Sequence, residues 1–122
     1  MPSQKQKELG ILGENKATVF LQNLGYEILD RNWRTKKGEL DIVARRPNGI
    51  IVFCEVKARS SKTYGDPLEA INNKKFLQVY KLALAWMLLH GIWELDFEID
   101  CLGVTFQEFG KFSIDHRIAV NL

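Results

Sequence analysis

GELDIVARRPNGIIVFCEVKARSS, residues 38–61, holds two apolar runs on either side of Arg-Pro-Asn-Gly. Runs rich in Val, Ile and Phe around a turn cluster predict a β-hairpin, residues 39–45 against 50–59. On the second strand Ile51, Phe53, Glu55 and Lys57 alternate with Ile50, Val52, Cys54, Val56 and Ala58, so the two sets face opposite sides of a sheet. On the first strand Glu39, Asp41 and Val43 share a face. If those faces align, Asp41 meets Glu55 and Lys57, and two carboxylates crowd one ammonium inside apolar sequence.

Two unpaired carboxylates in such a place repel each other, and desolvation drives at least one to take up a proton. A divalent cation removes the conflict. Mg²⁺ prefers hard oxygen ligands, often one or two carboxylates with waters and substrate phosphates, and the Val56 carbonyl is a further candidate donor. Lys57, beside Glu55 on the same face, is a positive charge able to orient an attacking water or stabilise charge in a transition state. This combination is the chemistry of phosphodiester hydrolysis. The bland alternative is a solvated cross-strand ion pair. It fits poorly with carboxylates embedded in Leu40-Asp41-Ile42-Val43 and Phe53-Cys54-Glu55-Val56.

Working outward, residues 26–34 read as a strand preceding the hairpin, which makes a three-stranded meander. Before it, residues 5–24 predict a helix with Leu9, Leu12, Ala17, Phe20, Leu21 and Leu24 on one face, stopped by Gly25. Glu14 borders that stripe. Gly10 and Gly13 weaken the helix by roughly 1 kcal/mol each and so point to close packing or a closely approached backbone. Residues 60–68 are polar and turn-rich, a loop. A second amphipathic helix is expected over 73–90, ended by Gly91, with Leu77, Tyr80, Leu84, Met87 and Leu88 facing the core and Lys74, Lys75, Gln78 and Lys81 off that face. Strands at 95–106 and 112–120, separated by Gln-Glu-Phe-Gly, complete the chain. Helix, three strands, helix, two strands predicts an α/β fold: one domain over 1–122 with a single mixed β-sheet of about five strands flanked by helices.

The 122 residues are 46% hydrophobic and 26% charged, which is globular rather than disordered composition. The opening MPSQKQKELG lacks an apolar signal core, and no run is long enough for a membrane span. Cys54 and Cys101 sit in strand-like apolar runs as buried thiols, so a reduced, cytoplasmic protein is expected. Net charge is only +2, yet residues 1–81 carry fifteen cations against nine carboxylates and residues 82–122 two against six. The basic charge is local. A polyanion suits the first two thirds, and Glu94, Asp96, Glu98 and Asp100 would repel it. His90 and His116 lack metal-ligand spacing, and no Ser/His/Asp, Walker or paired-Cys motif appears. Trp33, Trp86 and Trp93 read as core or interface residues before they read as base-stacking ones.

Gly38-Glu39-Leu40-Asp41 followed by Glu55-Val56-Lys57 resembles the acidic and Glu-x-Lys elements of the PD-(D/E)XK nuclease superfamily, the restriction-endonuclease-like fold. With Gly13-Glu14 on a first helix and Glu55-Val56-Lys57-Ala58-Arg59, the arrangement is similar to archaeal Holliday-junction resolvases. From about Lys5 to Val104 the chain resembles the YraN-like bacterial family. The superfamily's leading proline is replaced by Leu40, a position that varies in the resolvase-like branch. The resemblance implies a Mg²⁺- or Mn²⁺-dependent nuclease site with Asp41 and Glu55 as metal ligands, Lys57 as the catalytic lysine and Glu14 as an outer carboxylate. The primary expectation is therefore a metal-dependent endonuclease acting on structured or branched DNA. Its alternative is a non-catalytic nucleic-acid-binding module of the same fold, and a structural adaptor ranks third. In either leading reading, Arg34, Lys36, Lys37, Arg59, Lys62, Lys74 and Lys75 form the expected nucleic-acid face, and a homodimer is left open.

Overall fold

A computed structural model describes residues 3–61, 66, 68 and 71–121. Helix α1 (Gln4–Asn23) starts at Ser3, whose Oγ accepts the Gln6 N–H at 3.2 Å while Gln6 Oε1 accepts the Ser3 N–H at 2.9 Å. This reciprocal cap satisfies two otherwise unpaired amides. Gly25, at φ 89°, turns the chain into β1 (Glu27–Thr35), followed by β2 (Gly38–Arg45) and β3 (Ile51–Ser60). Helix α2 (Asn73–Leu89), capped by Asn72, leads to β4 (Phe97–Phe106) and β5 (Phe112–Arg117). No helix among the described residues is long and apolar enough to cross a membrane.

The five strands form one sheet in sequence order. All neighbours are antiparallel except β3 and β4, which α2 connects as a parallel pair with Ile51 opposite Phe97 and Ser60 opposite Phe106. One face buries Ala17 and Leu21 of α1 against Ile42, Ala44, Val52, Cys54, Leu102 and Val104. The other packs Val79, Leu82, Ala83, Trp86 and Met87 of α2 on Leu40, Val43, Ile51, Phe53 and Ile99. This is the α/β architecture, a single mixed sheet flanked by helices, implied by the resemblance to restriction-endonuclease-like proteins.

Helix α2 presents a different face from the one expected, and α1 buries Ala17 and Leu21 as expected but not the whole stripe. Of the five residues assigned to the core side of α2 only Met87 is buried, while Leu77, Tyr80, Leu84 and Leu88 are exposed. Every residue from Leu82 to Leu89 is apolar, so hydrophobic period cannot select a face there and the sheet does so instead. On α1 the buried line is Gly13, Ala17 and Leu21 with Thr18, and Leu12 and Leu24 are exposed. Gly13 explains the shift. A Cβ at that position would lie 2.4 Å from the Ala58 Cβ, so the helix backbone rests almost directly on β3. Gly10 has open space around it, and the close packing expected of it is not found.

Asp100, expected to repel polyanions, is fully buried and neutralised. Arg46 clasps both its oxygens at 2.7 and 2.8 Å, His116 Nε2 lies 2.7 Å away, and the Ala119 N–H donates at 2.9 Å. Arg46 also donates to the Tyr26 hydroxyl at 2.8 Å, so one buried cation ties the β2–β3 turn to β4 and to the chain after α1. Glu94 and Asp96 precede β4 and are exposed. Most of the expected 60–68 loop lies outside the described residues. Ser60 still belongs to β3, and of the rest Leu68 is buried and Asp66 pairs with Arg117.

Candidate active site

Strict alternation predicts that Leu40 and Ile42 share a face. They do not: Leu40 packs with Val43 on the α2 side, and Ile42 packs on the α1 side. The slip falls at Asp41. On the neighbouring strand Asn32 adopts φ 53°, a left-handed conformation that breaks the pleat between Arg31, opposite Ile42, and Trp33, opposite Leu40. The β2–β3 ladder runs from Arg45 opposite Ile51 and stops at Ile42 opposite Cys54. In place of another rung, Asp41 Oδ2 accepts the Val56 N–H at 2.8 Å. The irregularity thus turns the Asp41 side chain into a substitute for the backbone and leaves it at the mouth of the separating strands.

Glu55, the next residue along β3, is 4% exposed. Its Oε1 faces two ammonium groups, Lys57 Nζ at 3.8 Å and Lys75 Nζ of α2 at 3.4 Å. Burial and the Asp41 charge nevertheless push its carboxyl up to about 7, outweighing both lysines. Burial also raises Asp41, and the Glu39 charge adds to that against the Val56 hydrogen bond. From α1, Glu14 joins the group: desolvation and Asp41 lift it to about 7, although Arg31 stands 3.5 Å from Oε1. Among the described residues that oxygen, though buried, has no hydrogen-bond donor. The Asp41 charge thus acts on both Glu14 and Glu55, and the Glu39 charge acts on Glu14 and Asp41, which links four carboxylates at one end of the sheet.

Around them the expected basic residues divide. Lys36 and Lys37 of the β1–β2 turn and Lys74 and Lys75 of α2 line one groove of about 1050 Å³. Arg34 is spent on Glu39, 3.3 Å away. Arg59 lies two residues beyond Lys57 on β3 and is half-buried. Lys62 lies outside the described residues.

Residues 13–112 match the uncharacterised protein family UPF0102. The chain belongs to this family. It is 40% identical over 110 residues to a UPF0102 protein of Desulforamulus reducens, spanning 89% of this chain and 90% of that one. A UPF0102 protein of Alkaliphilus oremlandii is 42% identical over 112 residues, covering 90% and 94%. Among solved structures, Pyrococcus furiosus SfsA in complex with Ca²⁺ is similar at 18% identity and TM-score 0.40, over 89% of this chain and 64% of that one. A likeness that distant bears on neither the chemistry nor the partners of this chain.

In this UPF0102 chain the donor set suits a hard divalent cation. Asp41 and Glu55 are carboxylates held above their usual range chiefly by burial, with the Glu39 charge adding to Asp41 and the Asp41 charge to Glu55, and Glu14 Oε1 lacks a donor. In a strand the N–H and C=O of one residue point to the same edge, so the Val56 carbonyl faces the side where Asp41 meets its N–H. Among the described residues no three carboxylate, His or Cys side chains converge tightly enough to cage a metal unaided. Mg²⁺ commonly takes only one or two carboxylates and keeps waters for the remainder, so this sparse set is adequate for it. Sequence reasoning missed Glu39 as a member of the charge cluster and Lys81 and Gln78 as groove residues. The Lys74, Gln78, Lys81 spacing of four and three residues placed them on one helix stripe and was the available signal.

Proposed function

We propose that this protein is a metal-dependent phosphodiester hydrolase acting on nucleic acid, with structured or branched DNA as its substrate. The observation that carries the reading is the gathering of Glu14, Asp41 and Glu55, each held above its ordinary carboxyl range, at the point where the β2–β3 ladder gives way. A purely structural cluster has little reason to bury carboxylates that raise one another through Asp41, whereas acids perturbed by burial and neighbouring charge are a functional signature. Asp41 and Glu55 would hold Mg²⁺ or Mn²⁺, with Glu14 as the outer carboxylate. Such an ion, when bound, polarises a phosphate oxygen and lowers the pKa of its water. Lys57, with a side chain 38% exposed beside Glu55, would steady the attacking water or meet charge growing on the phosphoryl oxygens. Lys75 and the other groove lysines supply attraction for the backbone.

One observation favours the binding-only alternative. Glu55 Oε1 is already faced by two lysines, an arrangement that can balance the carboxylate without a metal. A cleavage panel of single-stranded, duplex, flap and four-way-junction DNA, with Mg²⁺, Mn²⁺ or EDTA, separates the two. The hydrolase reading expects metal-dependent products from at least one branched substrate, lost in Asp41→Asn and Glu55→Gln. Highly purified protein that binds DNA well and leaves every substrate whole with both metals gives the answer to the binding module.

A further inference from the structure

The groove between the β1–β2 turn and α2 is built from two basic walls. Lys36 and Lys37 stand on one side and Lys74, Lys75 and Lys81 on the other, with Leu77, Leu82 and Ala85 between them. No carboxylate is among its described lining residues. The walls are tied together: Gln78 Nε2 donates to the Lys37 carbonyl at 2.9 Å, and Lys75 Nζ donates to Gln78 Oε1 at 3.3 Å. Gly38, at φ 145°, permits that approach, because a Cβ there would come within 2.6 Å of Gln78 Nε2. The Lys75 ammonium that lines this groove also faces Glu55, so one residue links the groove to the candidate active site.

We infer that this groove seats an unpaired strand of nucleic acid, phosphates along the lysines and base faces on the apolar floor, and so delivers single-stranded segments to the carboxylates. Lys36, Lys37, Lys74 and Lys81, four lining cations with no carboxylate between them, specify a polyanion. The floor then selects its form. A duplex turns phosphates outward on a convex surface and hides its bases, which would set the exposed Leu77 side chain, 55% accessible, against charge. An unpaired strand offers phosphates and apolar base faces together, the combination that single-strand grooves use. At about 1050 Å³ the groove is at the upper end of the roughly 300–1,000 Å³ typical of small-molecule pockets, which suits a short run of nucleotides. The inference rests on the nucleic-acid reading of the neighbouring site and adds to it the substrate form that reaches that site.

The test is fluorescence anisotropy in EDTA, where no cleavage occurs, with labelled oligothymidylate of about ten nucleotides and a blunt duplex of equal length. Single strand should bind at least tenfold more tightly than duplex. Its log affinity should fall with log salt at a slope of about −2.8, four phosphates at about −0.7 each. A variant carrying Lys36→Gln, Lys37→Gln, Lys74→Gln and Lys81→Gln should lose nearly all of that slope and most of the affinity. Leu77→Asn, an exposed change that spares the fold, should weaken single-strand binding several-fold with the slope unchanged. Duplex binding as tight as single-strand binding, or a fourfold variant that binds like wild type, overturns the inference. Metal-dependent cleavage that still needs Asp41 and Glu55 would then leave the hydrolase reading standing, and loss of that cleavage with intact single-strand binding would do the reverse.

Discussion

Lys75 of α2 and Glu55 of β3, twenty residues apart in sequence, meet at 3.4 Å between Nζ and Oε1, and Lys57 Nζ faces the same oxygen at 3.8 Å. Glu55 thus carries two internal counter-ions, and any external cation must compete with them. Lys75→Gln removes one competitor and is expected to tighten Mn²⁺ binding about fivefold, on the order of 1 kcal/mol for a partly exposed charge. Calorimetric Mn²⁺ titration of wild type and variant without nucleic acid checks it. Unchanged affinity would mean that Lys75 does not govern access to Glu55.

Lys57→Ala separates catalysis from binding. If its ammonium meets charge that develops only during hydrolysis, cleavage should fall by about 2.7–4 kcal/mol in barrier with DNA affinity nearly unchanged. Single-turnover rates and anisotropy on the same substrate measure the two effects, and circular dichroism confirms that removing a partner of Glu55 leaves the fold intact. An equal loss in affinity and rate would reduce Lys57 to one phosphate contact.

The raised carboxyls make a pH signature. Glu14 and Glu55 have folded values of about 7 against ordinary values of 4.5, so they favour the folded state fully below about 4.5, and that contribution fades as pH rises through about 7. Glu55→Gln should therefore stabilise the metal-free protein above pH 7, by up to roughly 2–3 kcal/mol, and have little effect near pH 5. Mg²⁺ or Mn²⁺ should raise the melting temperature more at pH 8 than at pH 6, and EDTA should reverse it. A pH-independent melting temperature in both proteins would refute the carboxylate conflict.

Asp100 behaves in the opposite sense. Burial acts to raise it, but the bonds from Arg46, His116 and Ala119 prevail and hold it at about 2. Its contribution is complete above 3.8 and is lost as pH falls through about 2. Asp100→Asn leaves the buried Arg46 charge short of its partner and should cost about 3–5 kcal/mol in urea denaturation. A loss below 1 kcal/mol would show that Glu98, 3.5 Å from Arg46 Nε, suffices.

Gly13→Ala sets helix propensity against packing. Alanine favours an isolated helix by about 1 kcal/mol, but its Cβ would meet that of Ala58 at 2.4 Å, a contact no rotamer can relieve. Overpacking should prevail, with a net loss of about 1–3 kcal/mol. The second change Ala58→Gly should restore most of it. Because Glu14 is the adjacent residue, the single variant should also weaken Mn²⁺ binding.

Much of the fold was legible because its punctuation is chemical. Gly25, Arg-Pro-Asn-Gly and Gly91 end elements for reasons local to the backbone, and the observed bounds differ from the expected ones by one or two residues for most elements and by three at the end of β5. The two carboxylates were legible for a related reason: Asp41 and Glu55 interrupt runs in which a polar group is costly. Which α2 face is buried was not legible, since an all-apolar turn has no period to read. Nor was the clasp of Asp100 by Arg46, residues far apart in sequence whose pairing depends on β4 lying beside β3.

Local residue chemistry specifies the order of elements, the single mixed sheet they imply and the conflict of charge that marks the site. Tertiary structure alone decided how that conflict is arranged. The left-handed Asn32 slips the pleat at Asp41, the missing Cβ of Gly13 lets α1 bring Glu14 close, and the packing of α2 sets Lys75 on Glu55 and its other lysines along a groove. The approaches of α1 and α2 are long-range contacts whose energy exists only once the sheet has formed, so no local pattern of residues encodes them.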